Sequence, residues 1–192
     1  MKNNKEIIPV IPPREIVIGE ASAPVSLVMF GDYESEACSQ ANQVVKDLLE
    51  KYKGSINFVF RHFPMTRIHQ KAHKAAEAAI GAAQEGKFWE MHQLLFENHR
   101  NLGVISLKSY AREAGVVDKR FLDNLINSHY GWFVQDDLKE GLKLGVTDIP
   151  ATFINGVRFE KEPTLKNLKA AIDDLLVKGK SRVVKLKEKK RA

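Results

Sequence analysis

The sequence predicts an α/β fold in which a βαβ half and a ββα half share one sheet, with an all-helical insertion between them. Three observations predict it. Two short runs of β-branched and aromatic residues, Val25–Phe30 and Ile56–Phe60, flank an amphipathic helical stretch. From Ile68 to Leu144 the pattern is helical throughout. Beyond that, Asn155-Gly156 separates two further β-forming runs and a final helical pattern follows. Asn-Gly is a strong hairpin signal, because a type I′ turn needs two residues at positive φ.

In chain order, residues 1–18 read as a leader punctuated by Pro9, Pro12 and Pro13. Val25–Phe30 follows Pro24 as a buried strand. The helix expected over Glu36–Tyr52 carries Ala37, Ala41, Val44, Val45, Leu48, Leu49 and Tyr52 at three- and four-residue steps, and Gly54 closes it. With Ile56–Phe60 it makes a βαβ unit, whose crossover should be right-handed and its strands parallel. The insertion, about residues 66–145, begins with an Ala-rich segment (Ala72, Ala75, Ala76, Ala79, Ala83) suited to close helix packing. It continues through helices expected at Lys87–Asn98, Leu107–Ala114, Lys119–Asn127 and Tyr130–Leu144. Ala151–Ile154 and Val157–Glu160 form the hairpin. Thr164 caps a last helix to Val177, with Leu165, Leu168, Ile172, Leu175 and Leu176 on one face. The main domain is thus expected over residues 19–177.

The 192 residues carry 30 Lys/Arg against 24 Asp/Glu and a single Cys, and 44 % are apolar. That composition excludes collagen-like, low-complexity and wholly disordered chains. One cysteine makes no intramolecular disulfide and no Cys-based zinc cage. The net +6 is local: residues 178–192 hold eight Lys/Arg and one Glu, while the rest holds 22 against 23. The tail is read as a solvated extension, mobile or continuing the last helix. Contact with nucleic acid or an anionic surface is the alternative. No run approaches the ~20 apolar residues of a membrane helix, and the prolines break any secretory core. The expectation is a cytoplasmic protein.

The turn after the first strand reads Gly31-Asp32-Tyr33-Glu34-Ser35-Glu36-Ala37-Cys38. Open α/β sheets bind ligands beyond the carboxyl ends of their strands, and the following helix offers free N–H groups there. Position makes this the first candidate site, with Ser35 near the helix cap and Cys38 one turn inside.

The blocks VSLVMFGDYESEACSQANQVVKDLLEKY, FVFRHFPMTRIHQKAHKAAEAA, GKFWEMHQLLFEN and GVTDIPATFINGVRF resemble the DsbA-like thioredoxin-fold oxidoreductases. The resemblance runs from about residue 16 to 177. It is nearest to the DsbA-type domains without signal peptides, including those fused behind sodium/proton antiporters. The resemblance implies a thioredoxin-like fold with a helical insertion and a Cys-x-x-Cys turn, of which Ser35 occupies the attacking position and Cys38 the resolving one. Glu36 and Ala37 replace the usual Pro-Tyr between them. It also implies that Asp148-Ile149-Pro150-Ala151-Thr152 is the cis-proline loop facing that turn, with Ile149, Pro150, Glu36 and Ala37 binding substrate.

A serine forms no disulfide, and Cys38 is expected to point inward, where burial suppresses its thiolate. The leading expectation is therefore a pseudo-enzyme that keeps a groove for a peptide or thiol compound. The alternatives are monothiol chemistry at Cys38, glutathione-dependent chemistry using Ser35 as in kappa-class glutathione transferases, and an engineered Cys→Ser change. An interaction protein recruiting acidic partners through its basic tail is the rival from another class. No resident cofactor is expected, with glutathione the one candidate.

His69 and His73 fall four apart on the expected helix face, a spacing that can bind zinc, but no third ligand is evident and a packing role is favoured. His62 is expected to satisfy backbone groups at a strand end. His92, Trp89 and Phe96 read as a packed helix face, and Trp132 and Phe133 as core. His99 and His129 have no readable role.

Overall fold

The computed structural model describes residues 13–189, with side chains at residue 13 and over residues 15–179. After a 3-10 turn at Pro13–Glu15, the elements are β1 (Val17–Gly19), β2 (Val25–Gly31), α1 (Glu36–Lys51) and β3 (Ile56–His62). The helical insertion comprises α2 (Ala72–Ala83), α3 (Phe88–Glu97), α4 (Val104–Glu113), α5 (Phe121–Ile126) and α6 (Gly131–Lys143). Then come β4 (Ala151–Ile154), β5 (Val157–Arg158) and α7 (Leu165–Lys189).

The five strands form one mixed sheet in the order β1-β3-β2-β4-β5. β2 and β3 are parallel, Val25 opposite Ile56 and Gly31 opposite His62, as a βαβ unit requires. β4 runs antiparallel to β2, with Leu27 opposite Ile154 and Phe30 opposite Ala151. Both halves therefore meet on β2, and its carboxyl end delivers the chain to the start of α1. Asn155 and Gly156 sit at φ 49° and 78°, the positive pair that the hairpin needs. The Asn155 side chain also ties the turn to β2, its Oδ1 accepting from the Ser26 N–H at 2.7 Å.

Alternation along β2 splits the core between two faces. Leu27 and Met29 join a cluster with Cys38, Val45 and Leu48 of α1, Phe58 and Phe60 of β3, and Leu168 and Ile172 of α7. Phe30 turns the other way, to Phe63, Val146, Ala151 and Phe153. In the insertion, α2 is the central helix, buried along nearly its whole length. Its alanines and Gly81 let neighbours approach closely: a Cβ on Gly81 would lie 3.0 Å from the rings of Phe121 and Tyr130.

Some expectations need correction. Val17–Gly19, across the expected boundary between the leader (1–18) and the domain, is a strand paired antiparallel to β3; residues 1–12 of that leader lie outside the described residues. The helical pattern expected from Ile68 begins only at Ala72. The preceding residues are held otherwise, because Asp32 takes the Met65 N–H (2.9 Å) and Glu34 takes the Lys71 N–H (2.8 Å). His69 and His73 therefore do not share a helix. Helix α4 starts at Val104, a turn before the expected Leu107. Helix α7 continues into the basic tail as far as Lys189, one of the two states expected of that segment, and residues 190–192 lie outside the described residues.

Candidate functional site

The turn between β2 and α1 is built by its own polar groups. The Asp32 carbonyl accepts from Ser35 N–H at 3.2 Å. Ser35 is extended (φ −84°, ψ 122°) and caps α1, its Oγ accepting from the Cys38 N–H at 3.3 Å. Serine is favoured there because its oxygen satisfies one of the helix's free N–H groups. Both Ser35 and Cys38 are buried, Cys38 completely. Its Sγ packs on Gly31, where a Cβ would stand 3.3 Å from the sulfur.

Burial pushes the Cys38 thiol up to about 11. Hydrogen bonds from the Ser35 side chain and the Asp32 backbone oppose the rise, and the Asp32 carboxylate charge adds to it. The helix dipole, which favours an anion here, is outweighed by desolvation. Near neutral pH this sulfur is a thiol.

Glu36 and Ala37 face outward. The Glu36 carboxylate meets Arg100 Nη2 at 2.8 Å, and that pairing holds it below the usual carboxylate range. His99 Nε2 stands 3.7 Å from the same carboxylate, in range for charge attraction but too far for a hydrogen bond.

The Ile149–Pro150 peptide bond is cis. Pro150 lines a groove of about 270 Å³ with Ala37, Ala41 and Val44 of α1 and with Pro163 and Leu165; Gln40 and Glu162 add the polar groups. Of the expected site residues, Ala37 and Pro150 thus meet in one groove. Ile149 is half-buried and packs against both core clusters. Ser35 and Cys38 lie beneath the surface, and Glu36 is turned to Arg100.

Three polar arrangements behind the turn escape sequence reasoning, because their partners lie far apart in the chain. Asp32, 2 % exposed, accepts from the N–H groups of Glu34 (2.7 Å) and Met65 (2.9 Å) and pairs with His69 Nδ1 (2.9 Å). It pins the segment after β3 to the turn. Burial raises its pKa, and these hydrogen bonds partly offset the rise.

Next, the Tyr33 hydroxyl meets His92 Nδ1 at 2.9 Å, and His92 Nε2 meets Asn42 Oδ1 at 2.9 Å. Complete burial holds His92 down at about 3, so the ring is neutral. An amide oxygen only accepts, so Nε2–H donates to Asn42 and Nδ1 accepts from Tyr33. His92 is therefore a hydrogen-bonded relay between two elements as well as a packed ring.

The last arrangement centres on buried Asp137 of α6. One of its oxygens receives Arg61 Nε at 2.6 Å; the other receives the His62 backbone N–H and faces His62 Nδ1, both at 2.9 Å. His62 thus pairs with a carboxylate rather than with backbone groups. Arg61 also binds Glu140 at 2.6 Å.

His73 pairs with Glu77 at 3.1 Å, away from His69 and its Asp32. Among the described residues no group of three His, Cys, Asp or Glu is placed to hold a metal. Trp132, expected in the core, is 67 % exposed with Lys139 Nζ 4.7 Å above its ring, because α6 buries Val134, Asp137 and Gly141 instead.

Residues 12–174 match the family model described as Thioredoxin. The chain is 36 % identical over 166 residues to the Na(+)/H(+) antiporter NhaA 3 of Salinispora tropica, covering 86 % of this chain. It is 34 % identical over 157 residues to the Na(+)/H(+) antiporter NhaA 1 of Mycolicibacterium vanbaalenii, covering 80 %. The match spans only 25 % of each of those relatives. Among solved structures, oxidised BdbD from Bacillus subtilis superposes with a TM-score of 0.76 at 24 % identity, covering 86 % of this chain and 92 % of that one. Wolbachia pipientis alpha-DsbA1 gives 0.74 at 22 % identity, covering 87 % and 93 %. The chain belongs to the thioredoxin family and folds in its DsbA-like form, with Ser35-Glu36-Ala37-Cys38 at the turn where β2 meets α1.

Proposed function

We propose that this chain is a DsbA-like binding module without two-cysteine disulfide exchange. It takes an extended peptide or a thiol compound in the groove between α1 and Pro150. The observation that carries the reading is the state of the two turn residues: Ser35 Oγ is engaged as the helix cap, and Cys38 is fully buried with its thiol held near 11. Disulfide exchange begins with attack by an accessible thiolate, which neither residue supplies. The groove beside them remains, with an apolar floor suited to an extended segment and Gln40 and Glu162 to orient it. Glutathione is a candidate thiol ligand, and the reading requires no resident cofactor. The single cysteine supports a cytoplasmic setting, and among the described residues no helix is long and apolar enough to cross a membrane.

The test is exchange with a fluorescent disulfide-linked peptide. The unmodified protein is expected to give no rate above the protein-free background. Ser35→Cys should introduce slow exchange through a pair with Cys38, at a cost of about 1 kcal/mol of stability for the lost cap. Adding Glu36→Pro and Ala37→Tyr should raise the rate by removing a carboxylate that disfavours the thiolate. Substantial exchange by the unmodified chain would overturn the proposal. Binding is read separately, by titrating glutathione or an extended peptide against the chain and against Ala37→Trp, which fills the groove.

A further inference from the structure

A second groove lies in the helical insertion and shares no lining residue with the first. It encloses about 470 Å³ between α4, the loop over residues 115–120 and α5, a size ordinary for binding pockets. Its floor is apolar: Ala111 and Phe121 are buried, and Val116 and Leu122 half-buried. Val117 stands on its rim, 81 % exposed.

The walls are fixed in place. Gly115 turns the chain at φ 93°, and Val116 N–H returns to the Ala111 carbonyl at 2.9 Å. The Glu85 carboxylate, just past the end of α2, accepts from the N–H groups of Val117 (3.0 Å) and Asp118 (3.1 Å). A partner would meet a preformed surface and would not have to order it.

The charges around this groove are unbalanced. Lys108, Arg112 and Lys119 line it and are exposed. None of the three side chains is hydrogen-bonded or ion-paired to another described residue. Of the two carboxylates on the lining, Asp118 is already paired with Arg120 at 3.2 Å. Three cations thus stand against two carboxylates that have no cation partner, Asp123 on the lining and Glu85 on the loop's N–H groups, which leaves the groove net positive.

We propose that the α4–α5 groove is a docking site for an acidic peptide segment of a partner protein, one that also carries apolar side chains for the groove floor. The spacing favours a peptide over a small amphiphile. Lys108 and Arg112 stand about 6 Å apart along α4. Acidic side chains at i and i+4 of a helix, or i and i+2 of a strand, repeat at about that distance. A single carboxylate headgroup cannot answer cations on both walls, whereas a chain of alternating acidic and apolar residues can, with its apolar side on Phe121 and Leu122. The inference is independent of the function proposed for the α1–Pro150 groove.

The probe is a fluorescein-labelled peptide of alternating Glu and Leu, titrated into the full chain by anisotropy, with backbone amide shifts recorded in parallel. Saturable binding is expected, with shift changes clustered over residues 108–123. The Lys108→Glu/Arg112→Glu double variant should weaken it by about tenfold or more while leaving the melting curve unchanged, because both side chains are exposed. Four results with peptide alone would overturn the proposal. They are no binding at millimolar protein, shift changes confined to the basic tail, undiminished binding by the double variant, and equal binding of a Glu-Ser peptide. Undiminished binding by the double variant would place the site elsewhere, and equal binding of the Glu-Ser peptide would reduce the attraction to charge alone. Displacement of the Glu-Leu peptide from residues 108–123 by an equal concentration of single-stranded oligonucleotide would also count against it, since it would assign the groove to nucleic acid.

Discussion

At Cys38 the pull of a helix N-terminus on a thiolate is set against the cost of placing that charge in the core, and burial wins. With the thiol near 11, only about one molecule in ten thousand carries thiolate at neutral pH. Alkylation with iodoacetamide at pH 7 should therefore run at least about a hundredfold slower in the native protein than in denaturant. Rapid stoichiometric labelling of the native chain would shift weight to monothiol chemistry.

His92 sets a different pH dependence. It stays neutral in the fold down to about 3, whereas an unfolded histidine protonates near 6.5. Below 6.5 the unfolded state binds the extra proton, so the stability contributed by neutral His92 is complete above that value and drains away as pH falls toward 3. The slope is about 1.4 kcal/mol per pH unit across that window. Urea unfolding of the unmodified chain and of His92→Gln between pH 7 and 4 should show the variant with the flatter profile. Parallel profiles would mean that His92 titrates normally.

At the scale of elements, α6 depends on a close approach at Gly141. A Cβ there would lie 2.7 Å from Phe63 Cδ2 and 3.1 Å from Phe30 Cδ1, both on buried rings. Alanine is ordinarily the better helix former by about 1 kcal/mol, yet overpacking against rings that cannot swing away costs about 1–3 kcal/mol. Gly141→Ala is therefore expected to lower the melting temperature, and a rise would show that α6 can shift outward.

The same helix marks where the sequence stops being readable. β2, α1, β3 and the Asn155-Gly156 hairpin were legible because their signals are local: apolar periodicity, a capping Ser or Thr, two residues tolerant of positive φ. The Ser35–Cys38 turn and Pro150 were placed by position and resemblance. The burial of Asp137 was not legible, because its partners Arg61 and His62 precede it by 76 and 75 residues. Nor was the departure of His69 from α2, since Asp32, 37 residues earlier, draws its ring away. The β-branched run Ile16-Val17-Ile18 is itself a strand signal, but it is short and follows a run of prolines, and only its pairing with β3 makes Val17–Gly19 a strand.

Across the whole molecule, α7 is anchored to the core beneath the sheet through Leu168 and Ile172, both essentially buried, while Val177 and Lys178 beyond them are exposed. Among the described side chains, the last that pack on the core are Leu175 and Leu176, ahead of the basic segment. Truncation after Gly179 is expected to move the melting temperature by no more than about 3 °C and to abolish any salt-dependent attraction of the chain to anionic vesicles or nucleic acid. A larger thermal loss would make the tail part of the fold.

The sheet's two borders also govern how copies of this protein behave at high concentration. A strand edge with open N–H and C=O groups invites a neighbouring chain to extend the ladder. Here one border is the three-residue β1, ended by Gly19 at φ 93°, and the other is the two-residue β5. On β5, Arg158 reaches back to the Gly145 carbonyl at 2.6 Å and to Asp148 at 3.2 Å, leaving a charged group on the rim. Neither border offers a length of flat, apolar backbone on which a second molecule could nucleate cross-strand assembly, so the long strands β2 and β3 remain in the interior of the sheet, shielded from fibril-like growth.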